Sequence, residues 1–199
     1  MIKKKINLVA EVGCNHKGDF EIAKKMIENL AVFCNVKFIK FQKRDNKTLL
    51  SKKEYNSPHP NPENSYGKTY GDHREFLEFS INQHKKLVKH CKKNNVDYSC
   101  SSWDIKSAKQ LNSLKLNHIK IPSACNLDFQ MISYLCKEFE GKIHISLGMT
   151  KAIEEKKIIN LVKKYNRLND LVLYACTSGY PVPFADICLL EILLFVKGV

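Results

Sequence analysis

The stretch Ala10-Glu11-Val12-Gly13-Cys14-Asn15-His16-Lys17-Gly18-Asp19 places a carboxylate, an amide and an imidazole close together in the chain. At the C-terminal end of a strand, Glu11, Asn15 and His16 can converge on one ligand. The same residues also suit a polar strand-to-helix turn, with Gly13 and Gly18 supplying backbone freedom and Asp19 capping the helix. Two lysines interrupt apolar runs, in Phe38-Ile39-Lys40-Phe41-Gln42 and in His118-Ile119-Lys120-Ile121-Pro122-Ser123. An ammonium on a buried strand is costly unless it is paired or faces a ligand anion. Lys40 and Lys120 therefore point to a small substrate carrying carboxylate and phosphate charge. The structural alternative pairs them with an acid such as Glu11. Hydroxyls gather at the same strand ends, at Ser99, Ser101, Ser102, Ser123, Ser146, Thr177 and Ser178. They suit phosphate oxygens, although each alone is also an ordinary turn residue.

Other chemistries lack support. No two histidines have convincing metal-ligand spacing, and His118 and His144 sit at strand interiors, where a satisfied core histidine is the ordinary reading. The chain has no G-x-S-x-G, P-loop or G-x-G-x-x-G, so serine-hydrolase, nucleoside-triphosphate and dinucleotide readings have no motif behind them. Cys125 and Cys176 fall near strand ends without an evident histidine partner.

These residues need a scaffold of strands that end together. Strands are expected over Ile6–Gly13, Val36–Gln42, Asp97–Ser102, His118–Ser123, Lys142–Gly148 and Asp170–Cys176. Helix-period faces lie between them: Ala23, Met26, Ile27, Leu30 and Phe33; Ile81, His84, Leu87, Val88 and Cys91; Ile105, Ala108, Leu111 and Leu114. Two more follow, Phe129, Ile132, Leu135, Cys136 and Phe139, then Ile158, Leu161, Val162 and Tyr165. This alternation predicts a parallel α/β sheet with helices outside it. Lys43 to Asp72 breaks the rhythm, and its prolines and asparagines predict a long loop without helix, functional or disordered, on the face where parallel α/β proteins place their active sites.

The 199 residues carry 33 Lys plus Arg against 20 Asp plus Glu, a formal charge of +13. Only Arg44, Arg74 and Arg167 are arginines, and the lysines fall in scattered doublets on helix-like stretches, so nucleic-acid binding is not expected. The eight cysteines form no C-x-x-C pair, which suits a reducing, cytoplasmic setting. The apolar segment Ile187 to Val196 contains Glu191 and is about half the length of a bilayer span, so no membrane segment is expected.

The strand-end motifs resemble those of the sialic acid synthase family, in the same order along the chain. They are the Glu11 to Asp19 cluster, Lys40-Phe41-Gln42, Lys120-Ile121-Pro122-Ser123, Ile145-Ser146-Leu147-Gly148-Met149 and Cys176-Thr177-Ser178-Gly179-Tyr180-Pro181-Val182-Pro183. The resemblance runs from Asn7 to about Leu190. It implies a (β/α)₈ TIM-barrel catalytic domain condensing phosphoenolpyruvate with N-acetylmannosamine or a related acetamido sugar, with phosphate release. Glu11, Lys40 and Lys120 are the implied catalytic residues. The two lysines with Ser101, Ser123 and Ser146 match phosphoenolpyruvate positions. Gln42, Ser178 and Tyr180 join Glu11 at the sugar, with Asn15 and His16 beside them. A divalent metal, Mn or Mg, and a homodimer are also implied.

Three departures from the family pattern stand out. Cys125 replaces a glutamate, Ser178 an asparagine, and Leu147 a threonine. A (β/α)₈ barrel takes about 250 residues. The chain is therefore expected to hold one incomplete domain over residues 1–199, with about six βα units. The family's two metal-binding histidines, on the seventh and eighth strands, and its antifreeze-like C-terminal domain are expected to be missing. A second reading follows, a non-catalytic remnant that binds a small phosphorylated anion or a partner subunit.

Overall fold

The computed structural model describes residues 6–179, 181–188, 190 and 192. The chain divides into two compact units, the first ending at Ser101 and the second starting at Ser102.

In the first unit the strands β1 (Val9–Gly13), β2 (Phe38–Lys43) and β3 (Asp97–Ser102) lie side by side in chain order. β1 and β2 are parallel, with Val9 opposite Phe38 and Glu11 opposite Lys40. β1 starts later than expected because its ladder begins at the Val9–Phe38 pair, and Ile6 and Leu8 are exposed. Helix α1 (Phe20–Val32) opens on Asp19, whose carboxylate accepts from the backbone N–H groups of Glu21 and Ile22. Its buried stripe is Ala23 and Ile27, whereas Phe33, at the C-cap, is exposed.

The expected loop after β2 is instead a run of short helices: α2 (Asn46–Leu49), α3 (Lys52–Asn56), a 3-10 turn at Pro62–Asn64 and α4 (Tyr70–Phe76). Helices of one or two turns carry no apolar period to read. Their caps are what hold them: Asp45 accepts from Thr48 N–H, and Ser51 with Glu54 and Thr69 with Asp72 form capping boxes. Helix α5 (Ile81–Lys93) follows, with the expected His84, Leu87 and Cys91 buried.

The second unit repeats helix and strand as α6 (Ile105–Asn112), β4 (His118–Ile121), α7 (Phe129–Glu138), β5 (Lys142–Ser146), α8 (Ala152–Lys164) and β6 (Leu171–Tyr174). β4, β5 and β6 are parallel neighbours, with Lys120 opposite His144 and Ser146 opposite Tyr174. β4 stops before Pro122, which has no N–H for a ladder. Ile119, Ile121, Ile143 and Ile145 are fully buried with Ala108, Leu111, Ile132, Leu135, Ile158 and Val162 from the helices. Each such isoleucine contributes about 1.5–3 kcal/mol by leaving water. The other strand face is left to Lys120, His144, Ser146 and Tyr174. Phe129, expected on the buried face of α7, is partly exposed at the helix's first position.

Arg167 fastens the α7–β5 connection. Its guanidinium donates to the carbonyls of Cys136, Phe139 and Gly141 at 3.1, 2.7 and 2.8 Å, and pairs with Asp170 at 2.6 Å.

Candidate functional site

The first unit brings Glu11, Lys40, Gln42 and Ser101 together. Parallel register sets Glu11 beside Lys40, and the two side chains form an ion pair. Lys40 Nζ also donates to Ser101 Oγ at 3.4 Å. A Cβ built on Gly13, where the strand breaks register, would meet Gln42 Nε2 at 3.2 Å and Glu11 Oε1 at 3.3 Å. The pairing of Lys40 with Glu11 is the alternative raised above for a strand lysine, and here it is realised.

Asn15 and His16 serve the turn. The exposed Asn15 turns its amide back to donate to the Val12 carbonyl at 2.9 Å. Buried His16 accepts the Gly18 N–H on Nδ1 at 3.1 Å and stacks on Phe79, with ring centroids 4.1 Å apart. Burial and the Arg44 charge lower its pKa to about 4, so the imidazole is neutral at pH 7.

The excursion after β2 clamps that turn. At Gly18, which has φ +74°, a Cβ would lie 2.5 Å from the Phe76 carbonyl oxygen, so only glycine combines this backbone with this contact. Arg44 donates through Nε and its backbone N–H to the Glu78 carboxylate, and through Nη2 to Cys14 Sγ at 3.0 Å. Lys43 lies 3.6 Å from the same carboxylate. All three charged side chains are largely buried. Burial outweighs the Arg44 charge at Cys14 and raises its thiol pKa. Arg44 and Glu78 escaped sequence reasoning. Arg44 follows Lys40-Phe41-Gln42 by two positions, which is a weak signal, and Glu78 had none.

In the second unit Lys120 and Ser146 share one strand face, and Ser123 and Ser178 approach each other at Gly148. A Cβ on Gly148 would lie 2.5 Å from Ser178 Oγ and 2.7 Å from Ser123 Oγ, so the bare backbone leaves room between two hydroxyls. Asn126 fixes the loop by donating to the carbonyls of Ser146 and Gly148 at 2.9 and 3.1 Å. The Ser146 hydroxyl is buried and has no hydrogen-bond partner among the described residues. A buried polar group of that kind is costly unless something else satisfies it. Burial also lowers the pKa of Lys120. Leu147 is buried, and Ser178 is exposed. Tyr180 lies outside the described residues.

The NeuB family model matches residues 26–197. The chain belongs to the NeuB family. It is 34% identical over 197 residues to the N-acetylneuraminate-9-phosphate synthase of Drosophila melanogaster, covering 96% of this chain and 50% of that protein. It is 33% identical to the N,N'-diacetyllegionaminic acid synthase of Campylobacter jejuni, covering 92% of this chain and 55% of that one. This NeuB-family chain thus spans about half the length of the curated relatives it matches. The N-acetylneuraminic acid synthetase structure from Leptospira borgpetersenii superposes with a TM-score of 0.82 at 20% identity, over 98% of this chain and 62% of that one. A putative spore coat polysaccharide biosynthesis protein E from Chromobacterium violaceum gives 0.81 at 20% identity, over 98% of this chain and 56% of that one. The shared fold bears out the expected TIM-barrel class, with six strands in chain order, five of them followed by α-helices among the described residues of this NeuB-family chain.

Among the described residues no group of three or more His, Cys, Asp or Glu side chains is placed to hold a metal ion. The divalent metal that the resemblance implies does not fit the residues described, and the chemistry argued for this chain runs through its own side chains. No helix among the described residues is long and apolar enough to cross a membrane.

Proposed function

We propose that this chain supplies the phosphoenolpyruvate-binding and sugar-binding residues of a synthase that condenses phosphoenolpyruvate with N-acetylmannosamine or a related acetamido sugar. The observation that carries this reading is the buried Ser146 hydroxyl, without a hydrogen-bond partner among the described residues, on the strand face that also carries Lys120. Hydroxyl donors and an ammonium without a carboxylate partner among the described residues suit a phosphate or carboxylate, and each charge-assisted hydrogen bond is worth about 1.5–3 kcal/mol. In the first unit Lys40 and Ser101 offer a second cation and hydroxyl for the same class of ligand. Glu11 and Gln42 offer an acceptor and an amide suited to the hydroxyl and acetamido groups of a sugar.

In the reaction proposed, the enol carbon of phosphoenolpyruvate forms a C–C bond to the aldehyde carbon of the open-chain sugar. The aldehyde oxygen takes up a proton. Water then adds to the electron-poor carbon left behind and loses a proton, and C–O cleavage releases phosphate and leaves a 2-keto-3-deoxy acid. Lys120 offsets negative charge of phosphoenolpyruvate, and donors fixed at strand ends hold it for attack.

Calorimetry with phosphoenolpyruvate tests the binding half of this reading. Binding that is lost in Lys120→Ala and kept in Lys85→Ala supports it. No binding, or equal loss in both variants, overturns it. Phosphate release that depends on both phosphoenolpyruvate and an acetamido sugar tests the catalytic half. Ligand binding without turnover across several such sugars would leave this chain an anion-binding module.

A further inference from the structure

His144 and Tyr174, neither of which belongs to the site proposed above, form a column with Lys120. The β4–β5 register sets Lys120 opposite His144, and the β5–β6 register sets Ser146 opposite Tyr174, so these side chains share the strand face turned away from the buried isoleucines. Lys120 Nζ lies 5.7 Å from the centroid of the Tyr174 ring. That is within the reach of about 6 Å at which a ring face attracts an ammonium. The Tyr174 hydroxyl is hydrogen-bonded to His144 Nδ1 at 2.8 Å. The His144 ring in turn stacks on His118, with centroids 4.3 Å apart and planes 17° from parallel. The tyrosine is thus held at its far end by an imidazole that is itself packed against a second ring.

What holds Lys120 matters because of what is not beside it. Among the described residues no carboxylate pairs with Lys120, in contrast to Lys40. Burial, with the nearby charges of His118, Lys142 and Lys120, lowers the pKa of His144 to about 3, so the imidazole is neutral at pH 7. A carboxylate in this place would hold the ammonium and cancel its charge. A ring face holds it and leaves the charge uncancelled.

We propose that Tyr174, oriented by His144, is a positioning residue for Lys120: its ring fixes the ammonium on the strand face while leaving the positive charge available to an anionic ligand. The proposal rests on the reading of Lys120 as the anion-binding lysine. Tyr174 and His144 act through that lysine and touch no ligand themselves.

Two readouts on the 199-residue chain separate this proposal from the reading beneath it, with circular dichroism confirming that each variant is folded. The first needs no ligand. In a proton–carbon spectrum the Lys120 ε-methylene, identified by its loss in Lys120→Arg, is expected to be shifted upfield by the Tyr174 ring current. Tyr174→Leu is expected to abolish the shift. His144→Val is expected to reduce it by freeing the tyrosine. An unshifted signal in the wild type, or one unchanged in Tyr174→Leu, overturns the proposal. The second readout is phosphoenolpyruvate affinity by calorimetry. Tyr174→Leu is expected to weaken it about three- to tenfold, the size of a partly desolvated cation–π contact. Loss of binding in Lys120→Ala with wild-type affinity in Tyr174→Leu leaves the reading intact and overturns the positioning role. No binding by the wild type, or binding unaffected by Lys120→Ala, overturns the reading, while the ring-current signal still decides whether Tyr174 holds the lysine.

Discussion

The two units stabilise their buried cations in different ways. In the first, cations meet carboxylates: Lys40 pairs with Glu11, and Lys43 and Arg44 share Glu78. In the second, they meet mainly neutral groups: Lys120 faces the Tyr174 ring, and Arg167 is held by three backbone carbonyls with Asp170 as its one acid. A cation already neutralised by a carboxylate must exchange partners before it can serve an anion. One held by a ring or carbonyls need not. The contrast makes Lys120 the readier anion-binding group and gives Lys40 a built-in competitor.

The sharpest break in the comparison is expected at Arg44. Its removal in Arg44→Ala leaves the buried Glu78 carboxylate with the residue's own backbone N–H and Lys43, 3.6 Å away, and strips Cys14 of its donor. Breaking a buried pair from one side costs about 3–5 kcal/mol. Urea denaturation is expected to show a loss of that order, and a change under about 1 kcal/mol would mean that Glu78 is satisfied without Arg44. The corresponding change in the second unit, Arg167→Ala, orphans three carbonyls, and the one carboxylate it releases, Asp170, is partly exposed to water. It is expected to cost less, about 2–3 kcal/mol, because a neutral acceptor loses less on losing its donor than a buried carboxylate does. Equal losses in the two variants would erase the distinction between the units.

Acid offers a third test. His84 is fully buried, its Nδ1 is hydrogen-bonded to the Tyr98 hydroxyl, and burial lowers its pKa to about 3 from an ordinary 6.5. Between those values the unfolded chain binds a proton that the folded chain refuses, so stability rises with pH. The contribution is complete above pH 6.5 and is lost as the pH falls. One such histidine is expected to remove about 2 kcal/mol between pH 6.5 and 5. His16 and His144, with pKa values lowered to about 4 and about 3, act in the same direction, one in each unit. Urea midpoints at pH 7.5 and pH 5, for the wild type and His84→Gln, read the effect. A variant as acid-sensitive as the wild type would show that His84 does not set the slope.

How much of this was legible in the sequence depends on how far apart the interacting residues lie. The strands carrying Lys40 and Lys120 were readable because apolar runs broken by one lysine are uncommon, β3 fell as expected, and of the expected faces His84, Leu87 and Cys91 of α5 and Ala108 and Leu111 of α6 are buried. The helices α2, α3 and α4 were not, since they are too short for a period to emerge, although Ser51-x-x-Glu54 and Thr69-x-x-Asp72 announce their capping boxes. Arg44 and Glu78 are 34 residues apart, and His144 and Tyr174 are 30 apart. Such pairs exist only once the chain has folded, His144 and Tyr174 through strand register and Arg44 and Glu78 through the helical excursion after β2, which no local pattern encodes. The roles assigned to Glu11, Lys40 and Lys120 came from resemblance. What the structure adds is that one of these lysines has a carboxylate partner and the other has a ring.

The smallest effect tests that last difference directly. Glu11 is about half exposed, so its pair with Lys40 is worth only about 0.2–1 kcal/mol despite the buried lysine. Glu11→Gln removes the competing charge while keeping the shape of the side chain. If Lys40 serves an anion, phosphoenolpyruvate affinity is expected to rise about two- to fivefold, the equivalent of that pair. The gain is expected to vanish in the double variant with Lys40→Met, because the glutamate then has nothing to release. Unchanged affinity in Glu11→Gln would mean that Lys40 contributes nothing to ligand binding and that the first unit's lysine is a structural ion pair. The charge available for phosphoenolpyruvate would then come from Lys120 and the second unit's own donors. A gain that persists without Lys40 would instead place the competition at another cation, and the ion pair would no longer distinguish the two units.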